Sequence, residues 1–309
     1  MVADLLFPIL GFAIGLAIIV KASDVAVDLA VDFSRITGMS RLAIGMVILA
    51  SMTSLPEFAI ALSSTFAGTN SIMFGNILGA SITDLLFVMG AGALFFSIKI
   101  SAKDSRKAEQ IMLATVMVLL YGFIYGYNII FGSLCVLAFW FFSQGLLSSK
   151  YHGHPSHWKN VPAGLKMLAK LVAAIAVILV ASAIVVICTQ QISEAAGIIN
   201  TVMGATLISL ATTLPELAVT LSSGRKNEFD LMLGNIFGSC FVNIALIMGI
   251  ATVIAPVMIN AAELAVLLCL FASYVAALFF IRMKKPGRIH GFMLLCLYAA
   301  YIIIMSAVA

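Results

Sequence analysis

The chain has 309 residues, of which 63% are hydrophobic and 10% charged, with a formal net charge of +4. That leaves too little polar surface to cover a water-soluble globule of this size, so the sequence reads as an all-α protein of the lipid bilayer. The modest positive charge is scattered over loops and gives no nucleic-acid footprint, and no HExxH, GxSxG or paired catalytic aspartate pattern marks an enzyme.

A helix needs about 20 apolar residues to cross roughly 30 Å of hydrocarbon. Runs of that length recur along the chain and are continuous rather than alternating, which excludes a β-barrel reading. Ten transmembrane helices are expected, at 5–32, 40–65, 70–97, 108–125, 128–148, 166–192, 200–223, 229–256, 260–281 and 289–308. The opening MVADLLFPIL has no basic stretch before its apolar run and is read as the first span rather than a signal peptide. A polar linker at 149–165 divides residues 1–148 from 166–309, and its HGHPSH stretch reads as a hydrated connection rather than a metal site. Cys135, Cys188, Cys240, Cys269 and Cys296 all fall within spans, where packing rather than disulfide formation is expected.

The basic residues fall on alternate loops. Arg35, Arg41, Lys99, Lys103, Arg106, Lys107, Lys150, Lys159, Lys166, Lys170, Arg225, Lys226, Arg282, Lys284, Lys285 and Arg288 all flank one side of the ten-span map. The opposite loops, near 66–70, 126–128, 193–199 and 257–260, carry no Lys or Arg. By the positive-inside rule the basic side is cytoplasmic, so a multi-pass protein of the cell membrane with both termini extracellular is expected.

The strongest signal is an internal repeat. TSLPEFAIALSS at 53–64 matches TTLPELAVTLSS at 212–223, and MFGNILG at 73–79 matches MLGNIFG at 232–238. A single offset of 159 aligns both segments without a gap, and 15 of the 38 paired positions from 53 to 90 are identical. Each half holds five expected spans, and an odd number turns the second copy upside down in the membrane. Inverted repeats of this kind place their substrate sites near the midplane, where the copies meet.

Three carboxylates, Glu57, Asp84 and Glu216, fall deep inside spans. Each costs on the order of 2.5–3.5 kcal/mol at a helix centre, so a bound cation is the simplest compensation. The competing explanation is a buried polar cluster, neutralised by protons or by Lys21, the only basic residue well inside a span. Pro56 and Pro215 lack an N–H, so the carbonyls of Met52 and Ala211 lose their helical partners and the turns at Thr53 and Thr212 loosen. With the hydroxyls of Ser54 and Thr213, this makes an all-oxygen set suited to hard cations such as Ca2+ and Na+. The paired glycines Gly75/Gly79 and Gly234/Gly238 read as close-packing positions, and Asn76 and Asn235 as donors to loosened backbone. Asp24, Asp28 and Asp32 share one face of the first span and read as a solvated stripe or vestibule.

At these residues the sequence resembles the Ca2+:cation antiporter superfamily, in particular its prokaryotic sodium/calcium exchanger-like branch, whose pattern is GTSLPE followed by GNxxGS. The resemblance implies ten helices in two inverted five-helix repeats, with broken helices 2 and 7 at the centre and ion sites on helices 2, 3, 7 and 8. It implies that Glu57 and Glu216 bind Ca2+ and share Na+ sites, that Thr53 and Thr212 contribute carbonyls, and that Ser54 and Thr213 are the hydroxyl positions beside them. It further implies that Ser239 contributes to a Na+ site and that Asp84 and Asn243 form a central acid and amide pair. Three departures stand out: Met52 and Ala211 replace the initial glycine, Ala80 stands at the first-repeat serine, and the central acid and amide are exchanged between repeats.

The expected function is secondary exchange of Ca2+ for Na+ by alternating access, with no cofactor and no obligate protein partner, in contact with membrane lipid. A Ca2+/H+ or K+-dependent antiporter of the same fold is the alternative, followed by a cation channel.

Overall fold

A computed structural model describes residues 2–99, 101–147, 161–195, 209–259, 261–283 and 286–308. Among these, eight helices are long and apolar enough to cross a bilayer, or nine if a bent pair is counted as one span. The expected span at 200–223 is described only from residue 209 onward, and the linker at 149–165 only from residue 161, where it is already helical.

The order begins with α1 (Val2–Thr37). Ser40 then caps the next helix by accepting from the Ala43 N–H at 3.2 Å. That bent pair consists of α2 (Arg41–Thr53) and α3 (Leu55–Phe66), which meet at 48° across Ser54. Helix α4 runs Asn70–Ile82, widens into a π turn at Thr83–Val88 and ends as Met89–Phe95. Helices α5 (Ala102–Tyr125), α6 (Ile129–Leu147) and α7 (Val161–Ala195) follow. A short helical stretch at 209–212 leads into α8 (Leu214–Arg225). Helix α9 runs Phe229–Phe241, widens at Val242–Met248 and ends as Gly249–Ile254. The described chain closes with α10 (Ala261–Arg282) and α11 (Arg288–Val308).

The two π turns in α4 and α9 occupy corresponding positions of the repeat, with Asp84 in one and Asn243 in the other. A π turn inserts a residue into the helical ladder and reorients the polar groups around it. Nothing in the hydrophobic pattern predicts it. The same two helices form the centre of the protein: 89% and 83% of their apolar windows are buried, against 17% for α11. They meet at equivalent residues, since the Cys240 thiol points at the carbonyl of Ser81, its partner at offset 159, across 3.6 Å.

Small residues set how closely the central elements cross. A Cβ on Gly234 would come within 2.6 Å of the Leu42 carbonyl oxygen, and one on Gly45 within 2.7 Å of the Leu231 carbonyl. At Gly238 it would meet Met46 Cα and O at 2.5 Å. α2 and α9 therefore touch backbone to backbone, the contact that small residues permit in a membrane. Gly79, by contrast, faces only Tyr301 and Ser209 side chains at 3.4 and 3.6 Å.

Contacts at the helix ends sort the loops into two groups. At one end, Arg41 pairs with Glu228, and Arg282 pairs with Glu109 through Nε at 2.8 Å. The Ile98 N–H donates to Pro286 O at the same end. At the other end, the Val257 N–H donates to Tyr127 O at 2.9 Å and Asn70 reaches Pro256 O at 3.4 Å. This second end gathers the loops near 70, 127 and 257 that carry no Lys or Arg.

Gly238→Ala is expected to destabilise the fold, because the new methyl meets backbone rather than a movable side chain. Overpacking of this kind costs about 1–3 kcal/mol, read as a lowered midpoint of thermal unfolding in detergent. An unchanged midpoint would mean that α2 and α9 are not packed this closely.

Candidate functional site

The site is built on two backbone breaks related by the repeat. Ser54 ends α2 with φ −79° and ψ 11°, and Thr213 ends the 209–212 turn with φ −85° and ψ 5°. Pro56 and Pro215 follow at the first turn of α3 and α8, where a missing N–H costs nothing. Hydrogen bonding across the breaks also repeats: Ser54 N–H to Ala50 O at 3.0 Å and Phe58 N–H to Ser54 O at 3.1 Å, against Thr213 to Ser209 at 3.1 Å and Leu217 to Thr213 at 3.0 Å. In the first half the Ser54 N–H also reaches toward Met52 O, so that carbonyl is partly taken up within the turn.

Each break delivers a glutamate to the first turn of the helix beyond it, Glu57 on α3 and Glu216 on α8. An anion is favoured there by the free N–H groups and the helix dipole, while the carbonyl-rich end of the preceding segment favours cations. The two breaks face one another: Ser54 Oγ lies 3.5 Å from Glu216 Oε1, Thr53 also neighbours Glu216, and Thr212 neighbours Glu57. Asp84, from the π turn of α4, is close enough to both glutamates for their charges to interact.

All nine site residues expected from the sequence are at most 2% exposed: Thr53, Ser54, Glu57, Asp84, Thr212, Thr213, Glu216, Ser239 and Asn243. Among the described residues, both carboxylate oxygens of Glu57, both of Asp84 and Oε2 of Glu216 have no hydrogen-bond donor. Ser239 Oγ and Asn243 Oδ1 are likewise unpartnered. Buried polar atoms are normally paired, so these oxygens without donors are available as ligands for a cation. No three acidic, thiol or imidazole groups among the described residues converge tightly enough to hold an ion alone, so neutral oxygens would have to complete its shell.

The halves are not identical in detail. Thr213 Oγ1 bonds back to Leu210 O at 3.0 Å, whereas its counterpart Ser54 faces the opposite glutamate. Thr53 and Thr212 hydroxyls donate to Ala50 O and Ser209 O, at 3.3 and 3.0 Å. Asn235 fulfils its expected role, donating to the backbone carbonyl of Glu216 at 3.2 Å, while Asn76 Nδ2 has no partner among the described residues. Lys21 does not neutralise the acids: it is exposed on α1 and lines an outer groove with residues of α7.

Sequence reasoning passed over the surroundings of Asp84. Cys240, Tyr274 and Tyr298 lie within electrostatic reach of its carboxylate, and Tyr298 Oη meets Thr83 Oγ1 at 3.3 Å. These side chains come from α9, α10 and α11, and no local spacing could have joined them. Glu263, at the start of α10, is a further acid buried to 5% exposure.

The sequence matches the sodium/calcium exchanger protein family over residues 7–147 and 166–307. It is 29% identical over 304 residues to CaxA of Alkalimonas amylolytica, covering 93% of this chain and 95% of that one. It is 25% identical over 342 residues to the sodium/calcium exchanger MaX1 of Methanosarcina acetivorans, covering 94% and 96%. Among solved structures, the sodium-calcium exchanger NCX_Mj soaked with 10 mM Na+ and 10 mM Sr2+ superposes with a TM-score of 0.86 at 24% identity, over 98% of this chain and 99% of that chain.

The aspartate stripe of α1 proves to be partnered rather than simply solvated. Asp24 accepts from Ser222 Oγ at 2.6 Å and pairs with Arg225 at 3.1 Å, and Asp28 pairs with Lys226 at 2.6 Å. Among the described residues, Asp32 pairs along its own helix, with Arg35 at 3.1 Å. The first two contacts strap α1 to the end of α8, six residues beyond Glu216 at Ser222. Half-exposed pairs of this kind contribute about 0.2–1 kcal/mol each. Asp24→Asn with Asp28→Asn is therefore expected to speed amide hydrogen exchange in residues 24–37 about two- to five-fold. Unchanged exchange there would show that the strap does not hold α1.

Proposed function

The chain belongs to the sodium/calcium exchanger protein family, and from that premise and the geometry of its buried oxygens we propose that it exchanges Ca2+ for Na+ by alternating access. The family is one of membrane antiporters, not enzymes. The observation that carries the reading is the set of donor-free oxygens on Glu57, Glu216 and Asp84, with further unpartnered oxygens on Ser239 and Asn243. Ca2+ takes six to eight oxygen ligands, and two carboxylates from opposite breaks, with backbone carbonyls and hydroxyls, match that preference in hardness and in charge.

In this reading residues 1–148 and 166–309 are two inverted five-helix halves joined by the linker at 149–165, ten transmembrane helices in all. Support comes from the directions of the repeated segments. α3 runs toward the end where Asn70 meets Pro256, whereas α8 runs toward the end where Arg225 and Lys226 meet Asp24 and Asp28. The basic end faces the cytoplasm, which places the protein in the cell membrane with both termini outside.

Exchange rather than leak follows from electrostatics. Uncompensated carboxylates in a low-dielectric interior make reorientation of the empty protein costly, so the site crosses when Ca2+ or several Na+ neutralise it. Ions moving inward on one side of the cycle then drive Ca2+ outward on the other. The exchange of acid and amide between α4 and α9 leaves the number of central carboxylates unchanged, so the site keeps the charge to balance Ca2+ against several monovalent cations.

The test is 45Ca2+ uptake into proteoliposomes under Na+, K+ and H+ gradients imposed in turn. Uptake driven by the Na+ gradient alone, falling at least about 100-fold in Glu57→Gln and in Glu216→Gln, is expected. Uptake driven by a pH or K+ gradient without Na+ would reassign the coupling ion. Transport surviving either substitution would remove the glutamates from the site.

A further inference from the structure

Lys21 is a cation on the lipid-facing side of α1 for which the exchange site has no use. It lines a groove of about 580 Å3 with Ile14, Ala17, Ile18, Ala22 and Val25 of α1 and Ala174 and Val177 of α7. Apart from the lysine, every lining residue is aliphatic. Ile14 and Val25 are eleven residues apart, so the groove runs about 16 Å along α1, close to half of a roughly 30 Å hydrocarbon core.

The seam it follows is antiparallel. A Cβ on Gly11 would touch Cys188, one on Gly15 would touch Val185, and one on Gly164 would reach Ile36. Toward the basic end the groove is therefore continued by the start of α7, where Lys170 and Lys166 precede Ala174 at four-residue intervals on the same helical face. Both lysines are exposed. None of Lys21, Lys166 and Lys170 has an ion-pair partner among the described residues, and the nearby acids on α1 are engaged: Asp24 by Arg225 and Ser222, Asp28 by Lys226.

Those ion pairs lie toward the basic end, and Lys21 sits three residues, about 4.5 Å, from Asp24 on the side of the apolar groove. A lysine in that position extends its stem along apolar surface and brings its ammonium up to the headgroup level. We propose that the α1–α7 groove binds one anionic phospholipid from the leaflet at the basic end. Its acyl chain lies along Ile14, Ile18, Val25 and Val177, and its phosphate is held by Lys21 with Lys170 and Lys166 beyond it. Charge complementarity selects the lipid, because a zwitterionic headgroup offers the lysines no net charge. The proposal is independent of which ions the central site carries.

Native mass spectrometry of the full chain, titrated with phosphatidylglycerol and with phosphatidylcholine of the same acyl chains, tests it. One phosphatidylglycerol is expected to be retained in preference to phosphatidylcholine. Lys21→Met, which keeps the stem and removes the charge, is expected to weaken that binding about five-fold, and Lys21→Arg to restore it. The thermal midpoint of each variant in detergent reports folding separately, and an exposed lipid-facing side chain is not expected to alter it. Equal retention of the two lipids, or undiminished phosphatidylglycerol binding by folded Lys21→Met, would overturn the proposal.

Discussion

Two glutamates buried at facing backbone breaks, with no donors to satisfy most of their oxygens, are the constraint around which the rest of the protein is arranged. A charge in a low-dielectric interior is tolerated only with a partner, and among the described residues the protein supplies no cation to the glutamates: Lys21 is on the outer surface, and Arg41, Arg282, Arg225 and Arg35 of the basic end are paired with Glu228, Glu109, Asp24 and Asp32. In the proposed function, the cost of holding these carboxylates apart from protein donors is offset when a cation enters. In the proposed exchange, the same lack of partners would favour cations and oppose reorientation of the empty site.

The packing serves that arrangement. Glycine at 45, 234 and 238 lets α2 and α9 cross backbone to backbone next to the first break, so Ser54 is placed by rigid elements rather than by a loop. Proline after each break stops the helix from healing across it. The π turns at 83–88 and 242–248 direct Asp84 and Asn243 from the two most buried helices. Farther out, the Asp24 and Asp28 pairs tie α1 to the end of the helix that carries Glu216.

Much of this was legible in the sequence for a physical reason. Duplication writes the same helix-breaking proline and the same costly acid at two places 159 residues apart, and an acid buried in a membrane span is expensive without a function. The loop grouping was legible too, because the Lys and Arg residues avoid the loops that contact one another near 70, 127 and 257. Features that depend on tertiary contact were not. Asp84 is neighboured by Cys240, Tyr274 and Tyr298 from three other helices, and no periodicity links them. Thr213 looks equivalent to Ser54 but turns back to its own helix. The π turns leave no mark on an apolar pattern, and the aspartates of α1 read as solvated until α8 is placed beside them.

The central claim is that one ion is held jointly by the two halves. Anomalous diffraction from crystals of this protein soaked in Ca2+ or Sr2+ tests it most directly. The account predicts a peak between α3 and α8 with carboxylate oxygens of both Glu57 and Glu216 at about 2.3–2.6 Å, completed by carbonyl and hydroxyl oxygens at the breaks. A peak coordinated by one half alone, or none between the two glutamates at saturating Ca2+, would contradict it.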